Sequence, residues 1–205
     1  MKLWSAFLPE IFTVAMGCPT PLAEAKLRQA AIEFFQRTRA WVEWLDPVTS
    51  VAGSVEYDLD LPTGSDVARV EKSTVDGKPI DIISYRDASY DWTRLDLTSQ
   101  GIVSRDLKTF RLGQAVAAGL TIQVQVALTP SRTSTGIPDD LYDKYVDDIV
   151  HGARYRVLMT PDTTFYKPDL AGIEKALFEA AIGTNAVDAW RGQTANTPRA
   201  RVKFF

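Results

Sequence analysis

Apolar residues recur along this chain with two different periods, and the period changes twice. Over residues 4–40 and again over 137–190 they recur every three or four positions, which is typical of amphipathic helices. Over residues 47–129 the period is mostly two, which is typical of half-buried strands. The pattern therefore predicts two helices, then a series of strands, then two more helices.

The segment 137–159 is the most completely specified helix. Pro138 suits the first helical position, and Asp139 and Asp140 follow where the helix dipole favours carboxylates. Its apolar stripe predicts a face that packs on other helices: Tyr142, Tyr145, Val146, Ile149, Ala153 and Val157. Pro168 opens a fourth helix, and we expect its own apolar stripe to pack inward in the same way: Leu170, Ile173, Leu177, Ala180 and Ala181.

The strand region is clearest at residues 55–61 and 121–128, where apolar and polar residues alternate. Asp76-Gly77 predicts a hairpin turn between strands at 67–75 and 80–85. We therefore predict an α+β fold, in which a helical bundle is built from the N- and C-terminal helices (residues 1–45 and 137–192). An antiparallel β-rich domain, residues 46–136, is inserted into it, and residues 193–205 form an extended C-terminal tail.

Composition narrows the function classes. With 205 residues, 45% of them apolar, the chain can bury a sizeable core. A net charge of −3 gives no general electrostatic footprint for nucleic acid or membrane, and no apolar run approaches the roughly 18 residues of a membrane span. Pro9 and Glu10 interrupt the apolar stretch near the start, which argues against an export signal.

Candidate chemistry is sparse, because the chain has one cysteine and one histidine. Cys18 fits a small buried hydrophobe and His151 lies on the polar face of its helix, so we predict no catalytic residue. One Cys and one His also exclude a zinc site of the usual ligand types, and we expect no metal or cofactor. Five aspartates and one lysine give residues 139–148 a charge of −4, which favours a solvated or interface-forming face.

Two charged regions suggest contacts between molecules. The tail combines three basic residues with an aromatic pair, and we predict that these five bind a partner: Arg199, Arg201, Lys203, Phe204 and Phe205. Acidic stretches lie at residues 56–60 and 139–148, and a basic tail could pair with them between neighbouring copies. A head-to-tail contact of that kind closes into a ring if the rotation permits. We predict a subunit interface at Asp140, Asp143, Asp147 and His151.

Several stretches, covering most of the chain in order, resemble one protein family. They are LPEIFTVAMGCPTPLAEAKLRQAAIEFFQRTRAW, VAGSVEYDLDLP, TFRLGQAVAAGLTIQVQVALTPSRTSTGIPDDLYDKYVDDIVHGARYRVLM and PDTTFYKPDLAGIEKALFEAAI. These resemble the head-to-tail adaptor (connector, or tail-tubular-A-like) proteins of tailed bacteriophages, especially short-tailed ones.

The resemblance implies a structural virion protein and not an enzyme. Such adaptors form a ring, typically a dodecamer, in the neck of the virion between the capsid portal and the tail. The implied partners are the portal protein, tail or nozzle proteins, and further copies of the chain, after synthesis in the host cytoplasm. DNA would pass through the ring without sequence-specific binding, and no membrane is involved. The tail residues would anchor the ring to the portal or to the adjacent subunit.

Three alternatives stay open from the residues. The nearest is another phage neck or tail-completion protein. A carboxylate-based hydrolase would need two acids with raised pKa converging in a cleft. A carbohydrate-binding module would need exposed, co-facing tryptophans among Trp41, Trp44 and Trp92.

Overall fold

The computed structural model describes residues 1–84 and 101–192 in two compact units. The sheet unit contains Met1 and Trp41–Pro138, and the helical unit contains Lys2–Ala40 and Asp139–Phe205, of which residues up to 192 are described. Each unit has its own buried residues, and each is described here by itself.

Four α-helices are present in the described residues, as the sequence predicted. A 3-10 turn at Trp4–Phe7 leads into the short helix α1 (Leu8–Phe12), so the helical period that begins at residue 4 forms only a brief first helix. The longer helices are α2 (Thr20–Thr38), α3 (Asp139–Leu158) and α4 (Pro168–Arg191). Gly192 ends α4 in the left-handed conformation (φ 67°), which glycine adopts without strain.

Aromatic side chains from α2, α3 and α4 form the centre of the helical unit. The ring of Phe34 lies 5.2 Å from that of Tyr145 and 6.4 Å from that of Phe178, within the range of favourable aromatic contacts. Tyr145, Ile149, Ala153 and Val157 of the predicted α3 stripe are all buried. Gly152 allows close approach here, because a Cβ at that position would lie 2.6 Å from Cε2 of Phe178 and 2.9 Å from Cβ of Ala30.

The described residues contain ten strands of very different lengths. They are β1 (Lys2–Leu3), β2 (Val42–Trp44), β3 (Val48–Thr49), β4 (Glu56–Asp58), β5 (Ser65–Val75), β6 (Lys78–Ile82), β7 (Gly101–Val103), β8 (Thr109–Leu112), β9 (Thr121–Pro130) and β10 (Gly136–Ile137). Eight of them form one sheet in the order β2-β9-β5-β6-β7-β8-β4, with β3 also paired to β9. The predicted alternation in β9 is confirmed, since Ile122, Val124, Val126 and Leu128 are all buried.

The predicted hairpin is also confirmed. Asp76 and Gly77 both have positive φ, 49° and 73°, as a two-residue turn of the I′ type requires. Val75 pairs with Lys78 across the turn, and β5 and β6 run antiparallel. The pairs fixed by this turn set the register of the hairpin.

The predicted architecture is wrong, although the α+β class is confirmed. The structure has four helices and one large mixed sheet of eight strands, and not a helical bundle with an inserted antiparallel domain. The long β5–β9 ladder extends into a sheet with its own buried side chains, such as Ile102 and Phe110. β6 and β7 run parallel. Residues 83–100 connect them, and this connection is longer than the dozen or so residues that a parallel crossover needs. Alternation identifies strands, but it says nothing about their partners or direction.

Candidate assembly surfaces

The aspartates predicted for a subunit interface form an acidic surface on α3. Asp140, Asp143 and Asp147 are exposed, and none of their carboxylates has an ion-pair partner among the described residues. Their spacing of three and four residues places them on one side of the helix. Three uncompensated negative charges are therefore available to a basic surface of another molecule.

His151, the fourth predicted interface residue, is engaged within the helical unit. Its Nδ1 lies 2.5 Å from Oε2 of Glu174, a residue of α4 that is only 5% exposed. Arg154 Nη1 lies 3.6 Å from the other oxygen of Glu174, and Arg154 also donates to the backbone oxygen of Glu10 at 2.7 Å. The buried carboxylate thus links α3 to α4, and Arg154 extends the network to α1.

Sequence reasoning missed Glu174, although a signal for it exists. Ala171, Phe178 and Ile182 lie three, four and eight positions away and share its buried face. A charged residue inside an apolar stripe is rarely fully buried unless it is paired. That combination identifies Glu174 as part of an internal ion pair.

A second set of charges joins α2, α3 and α4 at the surface. Arg37 donates to Glu33 at 3.0 Å and to Glu179 at 2.6 Å, and Arg156 bonds to Glu33. Hydrogen bonding to Arg37 lowers the pKa of Glu179, and the same contact raises the pKa of Arg37. Both Arg37 and Glu179 are 43% exposed, so solvent screens the pair and it contributes little to stability.

Three of the five stripe residues predicted to pack inward on α4 are exposed and the other two, Leu170 and Ala181, are half-buried, so the prediction is wrong on this point. Ile173 is 59% exposed and Leu177 is 45% exposed, whereas the buried face is formed by Ala171, Glu174, Phe178 and Ile182. The helix has apolar residues on both sides, so the periodicity identified a real stripe but not the one that faces the unit's interior. Phe178 determines which side of α4 faces inward, because its ring packs against Gly152 and lies near Phe34.

This outward stripe continues to the end of the helix. Val187 is 45% exposed and Trp190 is 73% exposed. Small exposed residues lie between the large ones, and a Cβ at Gly183 would meet nothing within 4 Å. We name this surface the outer α4 face: Ile173, Ala176, Leu177, Ala180, Gly183, Val187 and Trp190. None of its members is charged, and the small residues leave room for another backbone to approach closely.

The predicted partner-binding residues of the tail lie outside the described residues. These are Arg199, Arg201, Lys203, Phe204 and Phe205. The prediction for these five residues rests on their charge and aromatic character.

Two alternative functions have requirements that can be compared with the described residues. Of the tryptophans proposed for carbohydrate binding, Trp41 is buried and donates its indole N–H to Glu43 at 2.7 Å, and Trp44 is 46% exposed. Trp92 lies outside the described residues.

A cavity of about 430 Å³ in the sheet unit has one carboxylate, Glu71, among its described lining residues. The described part of the lining thus contains one carboxylate, whereas a hydrolase of the proposed kind uses a pair.

Neither a metal-ligand cluster nor a membrane-spanning helix occurs in the described part of the chain. No group of three or more His, Cys, Asp or Glu side chains is arranged there to hold a metal ion. No helix in the same residues combines the length and apolar character needed to cross a membrane.

Comparison with known proteins gives no family assignment. No protein-family model matches the chain, and no curated protein matches it significantly.

Proposed function

We propose that this protein is a structural head-to-tail adaptor of a tailed bacteriophage, which assembles as a ring of identical copies beneath the portal. The outer α4 face carries the proposal. The helix α4 carries apolar rows on two sides, with the exposed charged residues Lys175, Glu179 and Asp188 on the rest of its surface. In the described helical unit, α4 buries one side against α2 and α3 and leaves the other side open. Contiguous exposed apolar surface of this kind marks a contact with another molecule.

Further copies of the same chain are the simplest source of that contact. Each copy would present the outer α4 face to a different surface of its neighbour, and such a heterologous contact generates a ring when the rotation closes. The helix is about 36 Å long and about 10 Å wide, so its outer face offers on the order of 350 Å². Stable pairwise interfaces bury about 800 Å² on each partner. One such contact is therefore weak, and we expect stable rings to need additional contacts or the portal as a platform.

The remaining features of the proposal follow from the sequence resemblance and the acidic surface. The ring, typically a dodecamer, would extend the DNA channel in the virion neck and present a platform to tail or nozzle proteins. Asp140, Asp143 and Asp147 add negative charge, which repels DNA phosphates and disfavours binding during passage. The proposed role is mechanical and needs no catalytic residue.

The test measures mass by light scattering, with electron microscopy of the same samples, for the protein alone and mixed with the portal of the same phage. We expect a monomer of about 23 kDa at low concentration and rings, or portal-bound multiples, at higher concentration or with the portal. The variant Gly183→Leu should fold normally, because the position is open, yet assemble at least about tenfold less well, because the added side chain blocks close approach.

Gln36→Leu is the matched control, since it adds the same side chain to an exposed position of α2. It should assemble like the unmodified protein. A chain that stays monomeric with the portal at every concentration would contradict the proposed function. Rings that tolerate Gly183→Leu would contradict the role assigned to the outer α4 face.

A further inference from the structure

The strand β4 is the last strand of the sheet order, and its second edge has no strand paired to it among the described residues. On its paired side, Leu112 N–H donates to Val55 O at 2.7 Å and Leu59 N–H donates to Lys108 O at 2.7 Å. Alternate residues of an antiparallel strand bond toward the same neighbour. The backbone groups of Glu56 and Asp58 therefore face the open edge, where the Glu56 oxygen accepts a hydrogen bond from Ser54 Oγ at 3.3 Å. An open edge of this kind is a template for a further strand.

The side chains along this edge form an acidic row. Glu56, Asp58 and Asp60 are exposed and alternate with Tyr57 and Leu59, which are buried. None of these three carboxylates forms an ion pair within the described ranges 1–84 and 101–192, and Arg111 of β8 is the cationic residue opposite Glu56. The edge thus presents negative charge on one face of the sheet and an apolar row on the other.

The segment 199–204 has the complementary pattern. Arg199, Arg201 and Lys203 alternate with Ala200, Val202 and Phe204, with the same period of two and the opposite charge. A strand with this sequence, placed beside β4, would set basic residues beside the acidic row and apolar residues beside Tyr57 and Leu59. Opposite charges on neighbouring strands stabilise their pairing.

We propose that residues 199–204 of one copy add as a strand to the open edge of β4 in a neighbouring copy. The inference rests on the proposed ring and names a second contact between its subunits, one that uses backbone hydrogen bonds for affinity and alternating charge for register. Each copy would give one strand and receive one. The α3 aspartates fit this segment less well, because their helical spacing does not match a period of two and a helix offers no free backbone edge.

The first test measures binding of a fluorescent peptide of residues 193–205 by anisotropy at low salt. The receptor is the full chain carrying Arg199→Glu, Arg201→Glu and Lys203→Glu, which keeps the chain's own segment away from the acidic edge. We expect saturable binding that weakens as salt is added. Adding Glu56→Lys and Asp58→Lys to the receptor should reduce affinity at least about tenfold.

Two controls make this test specific. A peptide of the same composition, with its three basic residues placed together, should bind at least about tenfold more weakly, because it loses the alternation. Asp46→Lys with Asp66→Lys, two exposed carboxylates elsewhere in the sheet unit, should leave affinity within about twofold. Absence of binding, or binding that ignores the β4 changes or the peptide's order, would overturn the proposal. Melting temperatures of all receptors confirm that they are folded.

The second test distinguishes contact between copies from contact within one chain. Two variants of the full chain are compared: one has a basic β4 edge, and the other has an acidic 199–203 segment. Each should assemble poorly alone, because its segment and its edge carry charge of the same sign. In a mixture, the segment of each variant meets an edge of opposite charge on the other variant, so assembly should be restored. If the peptide binds and the mixture stays monomeric, the segment occupies the edge of its own chain and the assignment to a neighbour is overturned. If the peptide binds and the mixture forms dimers or open chains but never rings, the proposed ring is refuted and this contact stands.

Discussion

Glu174 shows at the scale of one residue how a buried charge connects separate helices. Its carboxylate lies against His151 and Arg154, and Arg154 continues to the backbone oxygen of Glu10. Removing one partner from a buried ionic cluster leaves the other charges without compensation. Loss of one member of this network should therefore lower the free energy of unfolding by more than the loss of a single exposed ion pair.

We expect Glu174→Gln to lower the free energy of unfolding by about 2–4 kcal/mol, because Arg154 loses its buried counter-charge. Glu179→Gln is the matched control in the same helix. Its pair with Arg37 is exposed, and it should cost less than about 1 kcal/mol. Urea unfolding of both variants measures the difference. Equal losses would show that burial of Glu174 has no energetic consequence.

The stabilisation that the Glu179–Arg37 pair contributes depends on pH. Because Arg37 lowers the pKa of Glu179, the small stabilisation from this pair is present above the ordinary glutamate range. It should be lost as the pH falls through the lowered pKa.

Gly152 and Gly183 are glycines inside helices with opposite surroundings. Gly152→Ala should destabilise the protein by about 1–3 kcal/mol, since its Cβ would overlap Phe178 and Ala30. Gly183→Ala should stabilise the monomer by about 0.5–1 kcal/mol, because the position is open and alanine favours the helix. Thermal or urea unfolding of the two variants tests both signs, and a stable Gly152→Ala protein would mean that α3 and α4 can separate at little cost.

At the scale of elements, α4 shows why periodicity can find a helix and misjudge its inward side. The helix carries one apolar row through Ile173, Leu177 and Val187, and another through Ala171, Phe178 and Ile182. Either row satisfies the helical period. Which one turns inward depends on the fit between Phe178 and the gap left by Gly152, which involves residues distant in sequence.

In the sheet unit, the side chain of Ser50, which directly follows β3, forms hydrogen bonds with the loop that precedes β9. Its hydroxyl donates to Ala117 O at 2.6 Å and accepts from Leu120 N–H at 2.9 Å, and the side chain is buried. We expect Ser50→Ala to cost about 0.5–1.5 kcal/mol, because the Ala117 carbonyl and the Leu120 N–H lose the buried hydroxyl that pairs with them. Hydrogen exchange of the Leu120 amide should accelerate in this variant. Ser54→Ala, at a part-exposed turn, should change stability by less than about 0.5 kcal/mol.

At the scale of the whole molecule, the prediction concerns residues 193–205. The buried residues of the described helical unit extend to Ile182, so ending the chain at Gly192 removes none of them and should leave the melting temperature within a few degrees of the full chain. Docking to the portal or to neighbouring copies should be lost, because the basic and aromatic residues are removed. Circular dichroism and light scattering with the portal measure the two effects. A truncated chain that unfolds, or one that docks normally, would contradict the prediction.

The sequence by itself determined the local elements of this protein. Helical and alternating periods located four helices and the principal strands, and Asp76-Gly77 specified its hairpin, because each of these depends on residues close together in the chain. The tertiary structure alone decided the mixed sheet of eight strands, the partners of Glu174 and the exposed side of α4. Strand partners, ion pairs and the inward face of a doubly apolar helix depend on contacts between distant residues, which no local pattern encodes.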